Sequence, residues 1–187
     1  MKTRRTFLAA GLLTAFLAGC GDGNANSASV PDDWGTLKTK GVDVSYPKGS
    51  DGYRQQSAAE RGKYNAAAAV RTENGRTVSV ITVQLDFTRA NSAEQAAIAA
   101  EAGIQMGASV KGDKDVKLAG ADEAKRIDFT FKSTGRDDDP PKGTPVNGVI
   151  LTGLDSSDKT FAIRVDAVEG KLPDADLAKI VDSVEVH

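Results

Sequence analysis

The chain has 187 residues, 24 Lys and Arg against 26 Asp and Glu for a formal net charge of −2, and 40% hydrophobic residues. That balance argues against nucleic acid as a partner and against a polybasic grip on anionic lipid, while the length suits one domain with a real core. A single cysteine, Cys20, and a single histidine, His187 at the end of the chain, exclude disulfides and leave no Ser-His-Asp or Cys-His pair and no His-rich zinc site. There is no Walker A loop and no dinucleotide fingerprint, so no cofactor is implied.

In chain order, Lys2, Arg4 and Arg5 form a basic n-region, and residues 6–19 carry no charge of either sign. This is the layout of a secretory signal. Residues 7–18 would span about 18 Å as a helix, short of a hydrocarbon core of about 30 Å. The run Leu17-Ala18-Gly19-Cys20 resembles the lipobox of bacterial lipoproteins. Small side chains before the cysteine admit a peptidase to the backbone, and a thiolate is the side chain nucleophilic enough to take a diacylglycerol thioether. The resemblance implies cleavage before Cys20 and lipidation on it. Arg4-Arg5 followed by Phe7-Leu8 resembles the twin-arginine export signal, departing from it at Ala9; the same arginines also satisfy the general secretion route. Cleavage would leave 21 basic against 26 acidic residues, so attachment to the membrane must come from lipid. Two acyl chains, at about 0.8 kcal/mol per buried CH₂, suffice. The expected location is the extracytoplasmic face of the cell membrane.

Residues 21–33, GDGNANSASVPDD, have almost nothing to bury and read as a flexible tether reaching about 20 Å. From Trp34 the pattern turns to two-residue alternation. Short strands are predicted over 34–38 and 42–46, the second ending at the turn Pro47-Lys48-Gly49. Segments 66–72 and 77–87 flank Glu73-Asn74-Gly75-Arg76, a hairpin signal. The second carries Val78 and Val80 on one face and Ile81, Val83, Leu85 and Phe87 on the other, which predicts a central strand covered on both sides. Ser92 with Gln95 forms a capping box opening an Ala-rich helix to Met106. Strands follow over 116–118 and 124–132, then a polar loop, GRDDDPPKGTP at 135–145, and a hairpin of 146–154 with 160–168. Pro173-Asp174 starts a closing helix with Leu177, Ile180 and Val181 as its stripe, and 184–186 leaves it extended. Hairpin connections throughout predict an α+β fold, an antiparallel sheet flanked by helices, over 34–187.

GVDVSYPKG near the start, the stretch Thr88-Arg89-Ala90-Asn91-Ser92-Ala93-Glu94-Gln95 after a long central strand, and the closing DLAKIVDSVEV resemble the PsbP-like proteins, including actinobacterial lipoproteins of the LpqN type. The resemblance implies an α/β/α sandwich and a largely non-enzymatic role. It carries no catalytic motif over.

Three clusters invite a chemical reading. Asp137-Asp138-Asp139 offers oxygen ligands for Ca²⁺, but the distal Glu of an EF-hand loop is missing and Pro140-Pro141 intervenes, so a solvated loop is the stronger reading. As a long polar loop between strands it is also a partner-contacting surface. Asp128 and Asp166 lie opposite their apolar neighbours and could meet Arg126 and Arg164 across strands, as an acid/base pair or, more commonly, a salt-bridge ladder. Trp34 reads as a plug for the first strand ahead of a ligand platform. No catalytic or metal-ligating residue is assigned. The sequence therefore points to a lipid-anchored binding or assembly factor for an unknown envelope protein or lipid. The alternative is a carrier of a small apolar or lipid ligand, which requires an enclosed apolar pocket. An enzyme of unrecognised type has no positive support.

Overall fold

The computed structural model describes residues 30–187. The signal positions Arg4, Arg5, Leu17, Ala18 and Gly19 and the lipidation position Cys20 lie outside the described residues. Ten strands and two helices follow one another as β1 (Trp34–Leu37), β2 (Val42–Pro47), β3 (Arg54–Gln55), β4 (Ala67–Glu73), β5 (Arg76–Leu85), α1 (Ala93–Ala102), β6 (Ser109–Val116), β7 (Ala124–Lys132), β8 (Pro145–Leu154), β9 (Thr160–Val168), α2 (Asp174–Asp182) and β10 (Glu185–Val186). Seven strands form one antiparallel sheet in the order β3-β4-β5-β9-β8-β7-β6, and β1, β2 and β10 form a smaller one. The fold is α+β.

Local chemistry explains most of the boundaries. Asn74 and Gly75 both take positive φ, 51° and 75°, as a two-residue primed turn requires, and this sets the pairing Glu73 with Arg76. In α1 the Ser92 hydroxyl accepts from the Gln95 N–H at 3.3 Å, while Gln95 Oε1 accepts from the Asn91 N–H at 3.0 Å. This is a capping box shifted back by one residue at its return bond. The helix stops at Gly103, short of Met106, because the Gly103 N–H turns back onto the Ala100 and Glu101 carbonyls and ends the regular ladder.

The large sheet separates two cores. On one face Ile81, Val83, Leu151, Phe161, Ile163 and Val165 pack against Leu37, Val42 and Val44 of the small sheet and Ile180 of α2. On the other, α1 lays Ala97 and Ala100 over Ile127, Phe129 and Ile150. Three layers result, with α1 alone on one side. Burying each large apolar side chain contributes about 1.5–3 kcal/mol, and Phe161, Ile163, Ile81 and Leu151 are fully buried.

Two further expectations need correction, and one strand was not expected. β5 is central, but it is not covered on both sides: Ser79, Ile81 and Val83 are buried while Val78 and Val80 are only partly so. The reason is that α1 settles on β7 and β8 and leaves the β5 end of its face open. The strand expected over 116–118 is instead β6, ending at Val116, with Leu118 buried in the following loop. β3, two exposed residues, has no alternation long enough to read.

Candidate functional site

An open cleft of about 600 Å³ lies where three connections converge. The first is the β2–β3 loop, drawn tight by Gly52 N–H to Gly49 O at 3.2 Å and Tyr53 N–H to Pro47 O at 2.9 Å. Gly52 sits against the Lys48 backbone, where a Cβ would come within 2.5 Å of a carbonyl carbon, so this turn tolerates no larger residue. The second is the end of β4, where the ladder shifts register between Arg71 and Thr72. The third is the β9–α2 turn at Gly170, whose φ of 76° suits glycine.

Charge organises the wall. Arg71 donates from Nη2 to Glu73 Oε1 at 2.9 Å and from Nη1 to the Lys171 carbonyl at 2.6 Å, and Lys171 Nζ reaches Glu73 Oε2 at 2.5 Å. The bond from Lys171 holds the Glu73 carboxyl below its ordinary range. The Arg71 Nε is buried with no partner among the described residues. At the base of the cleft Tyr53 is 3% exposed, and burial pushes its phenol up. Its hydroxyl lies 2.5 Å from Ser79 Oγ, and Ser79 Oγ donates to the Asp166 carbonyl at 2.7 Å. Since Ser79 spends its proton there, Tyr53 is the donor in the pair, and a two-bond chain crosses the sheet from the cleft to β9.

The carboxylates singled out from sequence do not come together. Arg126 binds Asp128 and Arg164 binds Asp166, each within its own strand, at 2.7–3.2 Å and 2.9–3.0 Å. β8 separates the two strands, and the alternation puts the pairs on opposite faces: Arg126 and Asp128 share a side with Ala124, Arg164 and Asp166 with Ala162. Neither an acid/base dyad nor a ladder between them exists. Their protonation differs accordingly. Burial pushes Asp166 up, and Arg164 only partly offsets it. Asp128 also loses water, but the Arg126 bonds and Lys114 outweigh that and hold it below the ordinary value.

The Asp137–Asp139 loop turns its backbone to the protein: Thr77 N–H and Arg76 Nη1 donate to the carbonyls of Asp138 and Asp139 at 2.7 and 2.8 Å. Among the described residues no group of three His, Cys, Asp or Glu is placed to hold a metal ion. Trp34 is half-buried and packs against the core. A further charged cluster was not foreseen: Lys125 meets Glu94 at 2.8 Å, Asp115 at 2.9 Å and Asp113 at 3.5 Å, tying α1 to the β6–β7 edge. The carboxylates of Glu94 and Asp115 push its ammonium above the usual lysine range. Only the DKD stretch at 113–115 hinted at it. No helix among the described residues is long and apolar enough to cross a membrane.

These features define an α+β domain with an antiparallel sheet, helices on both faces and open, charge-lined depressions. The fold is LpqN-like: the structure of Mycobacterium tuberculosis LpqN, described as involved in cell envelope biogenesis, aligns over 82% of this chain and 90% of that chain with a TM-score of 0.50 and 12% identity. A crystal structure from Bacteroides thetaiotaomicron VPI-5482 aligns over 78% of this chain at 11% identity and a TM-score of 0.46, the chain spanning 45% of that protein's length. No protein-family model and no curated protein sequence matches the chain.

Proposed function

We propose that the protein is a lipid-anchored accessory or assembly factor of the cell envelope, working by binding through its open charged surface. The observation that carries this reading is the cleft of about 600 Å³, bordered by Lys48, Asp51, Arg71, Glu73, Lys171 and Asp176. Three cations face three carboxylates, so the wall carries no net charge and many donors and acceptors. Such a surface recognises a polar partner through hydrogen bonds and paired charges. A carrier of apolar ligands would instead enclose an apolar cavity of several hundred Å³. The envelope setting draws support from Leu17-Ala18-Gly19-Cys20 and from the LpqN-like fold.

Anchoring is tested by Cys20→Ala, which should leave the precursor uncleaved and abolish labelling by a fatty-acid analogue; unchanged labelling sinks the anchor. Crosslinking of the native protein in its own membrane, with mass spectrometry of the adducts, tests the partner. Adducts to envelope proteins that disappear when Lys171 and Arg71 are replaced by alanine are the expected result. Recovery of lipid alone would favour the carrier.

A further inference from the structure

On the face of the sheet that α1 covers only in part, Thr82 and Arg164 are direct cross-strand partners between β5 and β9. They form the floor of a pocket of about 130 Å³, walled by Phe87 and by Ala99, Ala100 and Gly103 at the last turn of α1. Arg164 is held from two sides. Its Nε donates to both Asp166 carboxylate oxygens at 3.0 and 2.9 Å, and its guanidinium carbon lies 5.0 Å from the Phe129 ring centroid and 5.9 Å from that of Phe131. Those contacts use one nitrogen and one face. No described group accepts from the two terminal nitrogens, and none pairs with the Thr82 hydroxyl beside them.

We propose that this pocket binds an aliphatic monocarboxylate, its carboxylate on the terminal nitrogens of Arg164 and the Thr82 hydroxyl. A guanidinium fixed by a carboxylate and stacked on aromatic rings is preorganised to offer a planar, forked pair of donors, which a carboxylate matches. Apart from Gln84, whose amide donates to Asn65 Oδ1 at 3.1 Å, the rest of the pocket is apolar and small. At about 30 Å³ for each water-sized group it holds roughly four such groups, enough for the carboxylate and the first two or three carbons of an unbranched stem, whose end leaves the pocket. Charge favours a singly charged head over a doubly charged one, because Asp166 offsets part of the Arg164 charge and the C-terminal end of α1 turns its negative pole toward the pocket. This inference stands apart from the envelope reading and uses the opposite face of the sheet from the charged cleft.

Hexanoate titrated into the full chain, followed by the Thr82 methyl resonance and by calorimetry, should bind saturably at this pocket. Thr82→Val keeps the strand and the side-chain volume and should weaken binding several-fold. Arg164→Lys keeps the charge but loses the fork and should weaken it about tenfold or more. Hexylamine should leave the Thr82 methyl unmoved and hexyl phosphate should bind more weakly than hexanoate, with melting curves of both variants confirming that they fold. Absence of a saturable shift, equal binding of hexylamine, or undiminished hexanoate binding in both variants would overturn the assignment.

Discussion

The two faces of the seven-stranded sheet are built on different principles. Toward the small sheet and α2, large side chains interlock: Phe161, Ile163, Leu151 and Ile81 meet Leu37, Val42 and Ile180, and all are inaccessible. Toward α1, small residues allow close approach, with Ala97 and Ala100 above and Gly148 beneath the Phe129 ring. The first face obtains its stability from volume and the second from contact distance. A helix of alanines covers little area, so α1 leaves β5 half-open, and both Arg164 and the pocket beside it exist because of that shortfall.

Substitutions can break this contrast. The largest effect is expected at Phe161→Ala on the closed face, about 3–5 kcal/mol of lost stability from transfer and cavity together, measured by denaturant unfolding. On the close-approach face the damaging change runs the other way. Gly148→Ala would drive a methyl group into the Phe129 ring, and should cost about 1–3 kcal/mol although it adds apolar volume. A loss at Gly148 no larger than that of an ordinary surface mutation would mean that α1 rides loosely on the sheet.

The smallest effect is electrostatic and distinguishes the two Arg–Asp pairs. Asp166 has its folded value raised above 3.8 by burial, so the folded state holds that proton more tightly than the unfolded chain. Its contribution is fully present below the unfolded value and is lost as pH rises through the raised folded value. Asp128 is lowered by Arg126 and Lys114, so its contribution is present above the unfolded value and is lost as pH falls through the folded one. Melting temperatures across the acid range should therefore lose a downward slope with rising pH in Asp166→Asn and an upward slope in Asp128→Asn. Identical profiles for both variants would remove the distinction.

Much of this was legible in the sequence. Segments 124–132 and 160–168 were read at the bounds later observed for β7 and β9, because apolar residues at alternate positions record a buried face directly. The Asn74-Gly75 turn and the Ser92 cap were equally local. What failed was non-local. Arg126–Asp128 and Arg164–Asp166 looked able to meet, but that depended on β8 lying between the strands and on parity relative to the core. Neither is encoded in the spacing of either pair. β6 was invisible for another reason: SVKGDKDV buries nothing completely, so its strand character comes from pairing with β7 alone. The charged cleft shares that obscurity, since Lys48, Arg71 and Lys171 lie far apart in sequence and are joined by topology.

β6 also bears on what the domain avoids. An outer strand ordinarily offers a row of free amides and carbonyls to any strand that drifts alongside. Here that row is interrupted by a bulge between Val110 and Asp113, with Gly112 at a φ of 104°, and carries Lys111, Asp113, Lys114 and Asp115. The opposite border is β3, two residues long, with Arg54 paired to Glu60 beside it. Neither border of the large sheet offers a long regular template, which lowers the tendency of crowded copies to join through it into a continuous ribbon.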